Sequence, residues 1–141
     1  MVLHGGQDGE LGHYGLEGQH VYDWTREELQ TRIDIGEGEH IPTLKSVIAL
    51  CQNSPNMLMN IEVKSPESWE QFQRYDCDLA GRKVVQLIEK YNIGLKVMIS
   101  SFGPNMVNSI LKASAPDRKF IIQTIPWEGG KCVWDQFNAY D

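Results

Sequence analysis

The sequence predicts an α/β protein organised around a parallel sheet. Short apolar runs bounded by turn residues, such as Leu58–Lys64, alternate with longer segments whose apolar residues recur at helical spacing, such as Leu44–Cys51. The chain has 141 residues, 41% of them hydrophobic, which is enough for one domain with its own core. Strands that alternate with helices pair in parallel, because each helix carries the chain back across the sheet.

The first part of the chain is predicted to contain one strand, a long loop and two helices. Met1–His4 is typical of the interior of a strand. Residues 5–20 carry glycine at six positions and show no hydrophobic period, which predicts a loop. Residues 25–30 predict a short helix capped by Thr25. After a second glycine-containing loop, the apolar spacing that begins at Leu44 predicts an amphipathic helix.

The rest of the chain predicts three strands separated by helices. The strands are expected at Leu58–Lys64, Lys96–Phe102 and Phe120–Thr124. A long helix is expected to follow the first of them and to end near Tyr91, and another is expected to begin after Gly103-Pro104. Val133–Phe137 predicts a last helix.

Composition excludes several classes of partner. The net charge is −6 and no Lys/Arg cluster is present, so we expect no nucleic-acid partner. No apolar run reaches the ~20 residues that cross a bilayer, so no transmembrane segment is expected. The three cysteines, Cys51, Cys77 and Cys132, are odd in number and lack metal-site spacing, which favours reduced thiols and a cytoplasmic location.

The strand at Leu58–Lys64 carries a polar stripe. Alternate residues of a strand share a face, so Asn60, Glu62 and Lys64 point one way and the apolar residues between them point the other. Strands of parallel sheets are usually apolar on both faces, and burying unpaired charges is costly. The stripe therefore indicates either a ligand site or a Glu62–Lys64 ion pair on an exposed edge strand, and the two interpretations have similar weight.

Two other strand ends carry polar groups. His4 precedes two glycines at the end of the first predicted strand, where α/β proteins place ligand-binding groups, although a solvated loop histidine fits the same pattern. Ser100 and Ser101 end another strand, where their hydroxyls could donate to a phosphate oxygen or cap the next helix. The remaining histidines have no partners at metal-site spacing and are expected at the surface; they are His13, His20 and His40.

Four segments, taken in order and spacing, resemble the middle motifs of the glycerophosphodiester phosphodiesterase family. They are Val2-Leu3-His4, Gly38–Leu44, Asn60–Lys64 and Ser100-Ser101-Phe102. Each is weak alone, and together they are fairly specific. The resemblance implies a (β/α)₈ barrel that hydrolyses glycerophosphodiesters to glycerol phosphate and an alcohol, in lipid metabolism, with a divalent cation, Mg²⁺ or Ca²⁺.

The same resemblance implies roles for individual residues. His4 would be one of two acid/base histidines, and Glu62 would be one of three carboxylate ligands of the metal. Lys64 would contact the phosphate or hold Glu62 in place, and Ser100 would be a further phosphate-binding group. The family's strand end is His-Asp, whereas this chain has His4-Gly5.

The chain is expected to be a central fragment of such a domain. Only three residues precede His4, so the family's His-Arg and Glu-x-Asp motifs have no place before it. A barrel needs about 250 residues, so residues 1–141 would form a partial barrel with about half the strands. Its activity should be weak or absent. Apolar interior residues such as Ile99 and Ile122 would be exposed, which favours self-association through open sheet edges.

Two alternatives to this function stay open. The chain could be a non-catalytic half-barrel remnant or binding module, because the missing motifs supply most of the metal ligands. It could also be a lysophospholipase D-like hydrolase, which differs only in the leaving group of the substrate.

Overall fold

The computed structural model describes residues 1–3, 9–66 and 69–125. Within these ranges the chain is α/β, with two sheets and five α-helices. The strands are β1 (Glu10–Leu11), β2 (Leu16–His20), β3 (Met59–Glu62), β4 (Val97–Ser101) and β5 (Ile121–Thr124). The helices are α1 (Arg26–Arg32), α2 (Leu44–Asn53), α3 (Trp69–Arg74), α4 (Cys77–Lys90) and α5 (Pro104–Ala113). Short 3₁₀ turns lie at Gly12–Tyr14, Val21–Asp23 and Gly94–Lys96.

The predicted parallel sheet is confirmed. Strands β3, β4 and β5 lie in that order and pair in parallel. Glu62 lies opposite Ser100, and Ser100 lies opposite Gln123. The described residues contribute three parallel strands and no closed barrel.

One face of this sheet is covered by α2, α4 and α5. The buried residues of the sheet are Ile61, Val97 and Ile99, joined by Val63 just after β3. The helices pack Ile48, Val85, Ile88, Met106 and Ile110 against them. The expectation that Ile99 and Ile122 would be exposed is wrong. Ile99 is 0% exposed, and Ile122 packs against the same core. Successive side chains of a strand point to opposite faces of the sheet, and those of Ile99 and Ile122 both point toward the helices.

The long helix expected before Tyr91 is two helices. Helix α3 ends at Arg74, and α4 begins after Asp76, whose carboxylate accepts a hydrogen bond from the backbone N–H of Leu79 at 2.8 Å. An N-cap of this kind fixes the start of a new helix. The predicted end of the helix near Tyr91 is confirmed, because Tyr91 is the C-cap of α4.

The N-terminal region differs most from its prediction. Residues 5–20 are not all loop, because β1 and β2 form an antiparallel ribbon within them. The predicted strand at Met1–His4 is absent from residues 1–3, and the backbone N–H of Val2 donates to the carbonyl of Pro42 at 2.9 Å. A second apolar cluster joins the ribbon to α1; its buried members are Leu11, Leu29, Ile33 and Ile41.

Several other expectations concern local features. The short helix capped by Thr25 is confirmed: its hydroxyl accepts from the backbone N–H of Glu28 at 3.2 Å. Helices α2 and α5 begin where the sequence predicts. The predicted helix at Val133–Phe137, together with Cys132, lies outside the described residues. Within the ranges that the structure describes, no helix combines the length and apolarity that crossing a membrane requires.

Candidate functional site

The face of the parallel sheet opposite the helices carries polar side chains at the carboxyl ends of its strands. We call it the open face; its members are Asn60, Glu62, Met98, Ser100, Ile121 and Gln123. Glu62, Ser100 and Gln123 form one row across the three strands, because the parallel register places them side by side. The next row contains Asn60, Met98 and Ile121, of which two are apolar. The polar groups of this face are therefore concentrated near the strand ends.

Glu62 and Lys64 form an ion pair on this face. The Lys64 Nζ lies 2.6 Å from the Glu62 Oε1, and the two side chains are 25% and 32% exposed. Neither charge is deeply buried, and the pair lies at the carboxyl end of β3, an edge strand of the described sheet. Accessible pairs of this kind stabilise a fold by ~0–1 kcal/mol. Both charged groups can therefore reach a ligand at small cost to the fold.

The two serines at the end of β4 have different surroundings. Ser100 is 2% exposed, and its Oγ donates to the Asn60 Oδ1 at 3.0 Å across the open face. Ser101 points to the helix side, where its Oγ donates to the carbonyl of Val63 at 2.7 Å and accepts from the backbone N–H of Gly103 at 3.3 Å. Ser101 thus has a structural role at the start of α5. Ser100 is adjacent to Glu62 and is already hydrogen-bonded.

A third serine at this end of the sheet was not identified from the sequence. Ser65 lies just beyond β3, is 6% exposed, and packs against Gly103, the N-cap residue of α5. A Cβ added to Gly103 would overlap with the Ser65 hydroxyl, so only glycine fits at position 103 without movement. The sequence does contain a signal for this contact. Ser65-Pro66 and Gly103-Pro104 both follow predicted strands, and parallel strands bring their carboxyl ends together.

The described residues do not provide a metal site by themselves. No group of three or more His, Cys, Asp or Glu side chains is placed to hold an ion within residues 1–3, 9–66 and 69–125. Glu62 is the one carboxylate of the open face, and its charge is already paired. His4, the predicted acid/base residue, lies outside the described residues, as do Gly5 and Gly6.

The three histidines within the described residues lie at the surface or make structural contacts. His13 and His40 are exposed, as expected. His20 is only half-buried and is part of the capping of a 3₁₀ turn, where its side chain accepts from the backbone of Asp23. Its ring stacks on Tyr22 at 5.0 Å, and Arg74 covers the same tyrosine while pairing with Asp23. These contacts join the ribbon to α3 and are structural.

The thiol and phenol nearest the α3–α4 junction are poor nucleophiles. Burial raises the pKa of Tyr75 to about 12. Burial, with Asp76 and Asp78 nearby, also raises the pKa of the Cys77 thiol above its ordinary value. Both groups are therefore protonated near neutral pH, and a cysteine nucleophile needs the opposite shift.

Comparisons with known proteins give one informative match. No family model and no curated protein matches this chain. Among solved structures, the chain is similar to a "putative glycerophosphodiester phosphodiesterase from Galdieria sulphuraria", with a TM-score of 0.62 and 25% sequence identity. The match covers 86% of this chain and 45% of that one, so the chain spans less than half of that protein's length. The likeness supports the resemblance stated above at the level of the fold.

Proposed function

We propose that this chain contributes the phosphate-binding strands of a phosphoric diester hydrolase that converts glycerophosphodiesters to glycerol phosphate and an alcohol. The observation that carries the proposal is the Glu62–Lys64 pair, which lies on the open face at the carboxyl end of β3. The fold likeness to the Galdieria sulphuraria protein supports it. Ligands of α/β proteins bind beyond the carboxyl ends of the strands, which is where this pair lies.

Lys64 suits the binding of a phosphodiester. Its ammonium is a compact charge with three donors, and it would neutralise a non-bridging oxygen of the substrate. Glu62 holds that ammonium 2.6 Å away, so the cation is positioned before the substrate arrives. A group placed in advance loses little entropy when the charge of the transition state develops. Ser100 would add a hydroxyl donor if its hydrogen bond to Asn60 were exchanged for one to the substrate.

We also propose a divalent cation as cofactor, although the described residues supply few of the oxygen ligands that it needs. Hard cations such as Mg²⁺ and Ca²⁺ take six or more oxygen ligands, and Glu62 supplies at most two. The described residues alone therefore do not fit the ion, and we assign Glu62 as one ligand among others that would lie outside them. We assign His4 as the acid that protonates the leaving oxygen, because the resemblance matches it to the family's acid/base histidine.

The test uses the longest natural gene product that contains this chain. Release of glycerol 3-phosphate from glycerophosphocholine is measured with Mg²⁺ and with Ca²⁺. We expect Glu62→Gln and Lys64→Met each to lower kcat/KM by about 100-fold or more, because each loses several kcal/mol of charge stabilisation. Thermal unfolding should change little, since both side chains of the pair are partly exposed.

Glu89→Gln is the matched control. Glu89 is an exposed carboxylate near the C-terminal end of α4, so this substitution makes the same charge change away from the open face. Wild-type turnover in Glu62→Gln would overturn the role of Glu62. Equal losses in Glu62→Gln and Glu89→Gln would mean that net charge, and not the open face, sets the rate.

A non-catalytic module is the second candidate. It is favoured by the absence of a three-ligand cluster among the described residues and by the pairing of Glu62 with Lys64. The same assay separates the two candidates. If the gene product hydrolyses none of the glycerophosphodiesters with either cation but binds them, the non-catalytic function replaces the hydrolase.

A further inference from the structure

We infer that Gln123 binds hydroxyl groups of the alcohol that is esterified to the phosphate, and that it thereby selects hydroxylated ligands over plain alkyl ones. The inference deepens the proposed function and rests on it for the position of the phosphate, which Lys64 would bind. Gln123 lies on β5, two strands away from β3, at whose carboxyl end that lysine lies.

The register of the sheet places Gln123 in the row of polar side chains at the strand ends. It lies opposite Ser100, which in turn lies opposite Glu62. Neighbouring strands are ~4.8 Å apart, so this row extends about 10 Å across the open face. One end of the row carries the ammonium that pairs with Glu62, and the other end carries a neutral amide. A phosphate ester that lies along the row would present its phosphate to the first end and its alcohol to the second.

Gln123 is the member of this row whose polar groups remain available to a ligand. Glu62 and Lys64 bond to each other, and the Ser100 hydroxyl donates to Asn60. The side-chain amide of Gln123 makes no hydrogen bond within the part of the chain that the structure describes, and the residue is only half-buried. A half-buried side chain can contact a ligand while losing less conformational freedom than a fully exposed one.

The amide suits hydroxyl groups better than it suits a charged group. Its oxygen accepts hydrogen bonds and its NH₂ group donates them, and a hydroxyl can do both, so two neighbouring hydroxyls can bond to one amide. The amide carries no charge, so it gives no electrostatic advantage to a cationic or an anionic ligand. Met98 and Ile121, in the next row, cannot bond to a hydroxyl. Discrimination between hydroxylated and plain alcohols therefore depends mainly on Gln123.

The test compares two phosphate monoesters that differ only in their hydroxyl groups, glycerol 3-phosphate and propyl phosphate. Their binding to the longest natural gene product that contains this chain is measured by isothermal titration calorimetry. We expect the wild type to bind glycerol 3-phosphate about 3- to 10-fold more tightly than propyl phosphate, the effect of one hydrogen bond. Gln123→Met keeps a side chain of similar length but lacks the amide. It should remove the difference by weakening the binding of glycerol 3-phosphate alone.

Two further variants separate the amide from the phosphate site and from the fold. Lys64→Met removes a charge that both esters would contact, so it should weaken the binding of both by the same factor. Gln73→Met makes the glutamine-to-methionine change at an exposed position of α3 and should leave both affinities within about twofold of wild type. If Gln123→Met does not fold, Gln123→Val gives the same comparison, because a β-branched residue suits a strand.

Four results would overturn the inference. They are the absence of binding of either ester to the wild type, equal affinity of the wild type for both esters, a preference that persists in Gln123→Met, and equal weakening of both esters in Gln123→Met. The titration involves no turnover, so its outcome is separate from that of the hydrolase assay. A preference that depends on Gln123 without hydrolysis contradicts only the proposed function, whereas hydrolysis without this preference contradicts only the role of Gln123.

Discussion

The two faces of the parallel sheet differ in burial and in the side chains they carry. On the helix-covered face, Ile61, Val63 and Ile99 are buried in a continuous apolar core. On the open face, Glu62 is exposed and Ile121 is 65% exposed, although both belong to the same sheet. Successive residues of a strand point to opposite faces, so one run of sequence serves both environments. A shift of one residue in register would exchange them.

The polar contacts follow the same division. On the open face they join one side chain to another, as in the pairs Lys64–Glu62 and Ser100–Asn60. On the covered face, Ser101 bonds only to backbone groups. Substitutions on the covered face should therefore change the free energy of unfolding, and substitutions on the open face should change binding.

The largest expected difference in stability is between two variants, each of which shortens one isoleucine on one face of the sheet. Ile99→Ala should lower the free energy of unfolding by about 3 kcal/mol, because it opens a cavity in the core beneath the helices. Ile121→Ala, on the open face, should lower it by less than about 0.5 kcal/mol. Urea denaturation of both variants measures the difference.

If Ile99→Ala does not fold, Ile99→Val gives the same comparison with a loss of about 1 kcal/mol. Equal losses of unfolding free energy from substitutions at positions 99 and 121 would mean that the open face is covered in solution. A loss at Ile121 that grows with protein concentration would identify the cover as a second copy of the chain.

A smaller effect is expected where α4 and α5 cross on the covered side. A Cβ on Gly81 would lie 3.0 Å from the Ser109 carbonyl carbon and 3.1 Å from the Ile110 nitrogen, both backbone atoms. Gly81→Ala should therefore destabilise the fold by about 1–2 kcal/mol, although alanine is the better helix former. Lys83→Ala, at an exposed position of the same helix, is the control and should be nearly neutral.

Thermal or urea unfolding measures both variants. A stabilising Gly81→Ala would mean that the helices separate easily. The covered face would then be packed less tightly than its buried residues indicate.

The sequence predicted the elements whose signals are local. Strands β3, β4 and β5 and helices α2 and α5 were recognised from apolar runs, helical spacing and the residues that bound them. The alternation of β3 also predicted correctly that Glu62 and Lys64 lie on one face, away from Ile61. The same rule applied to β4 would have assigned Ser101 to the helix side with Ile99, and Ser100 to the face of Glu62.

Features that depend on distant pairing were missed. Strands β1 and β2 are separated by a turn containing Gly15 at φ 71, and Gly18 at φ 72 lies within β2, so glycines that read as loop residues are part of the ribbon. The break between α3 and α4 depends on one cap, Asp76. The contact between Ser65 and Gly103 joins residues 38 positions apart and becomes visible only when β3 and β4 are paired.

The smallest expected effect concerns a polar contact between the covering helices, where Ser109 Oγ donates to the Asp78 Oδ1 at 2.6 Å. This hydrogen bond, with help from Lys112 and Arg82, holds the pKa of Asp78 below its ordinary value. Because the folded pKa is the lower one, the contact stabilises the protein above the unfolded pKa, and this stabilisation is lost as pH falls through the folded pKa. Ser109→Ala should raise the pKa of Asp78 toward its ordinary value, measured by NMR titration of the carboxyl.

Glu28 is the internal control for that titration. Its pKa is also lowered, by hydrogen bonds from Thr25 at the start of α1, and Ser109→Ala should leave it unchanged. If Asp78 titrates identically in wild type and variant, α4 and α5 are not joined by this hydrogen bond in solution. The covered face would then rely on apolar packing alone, which sharpens its contrast with an open face whose contacts are polar at the strand ends.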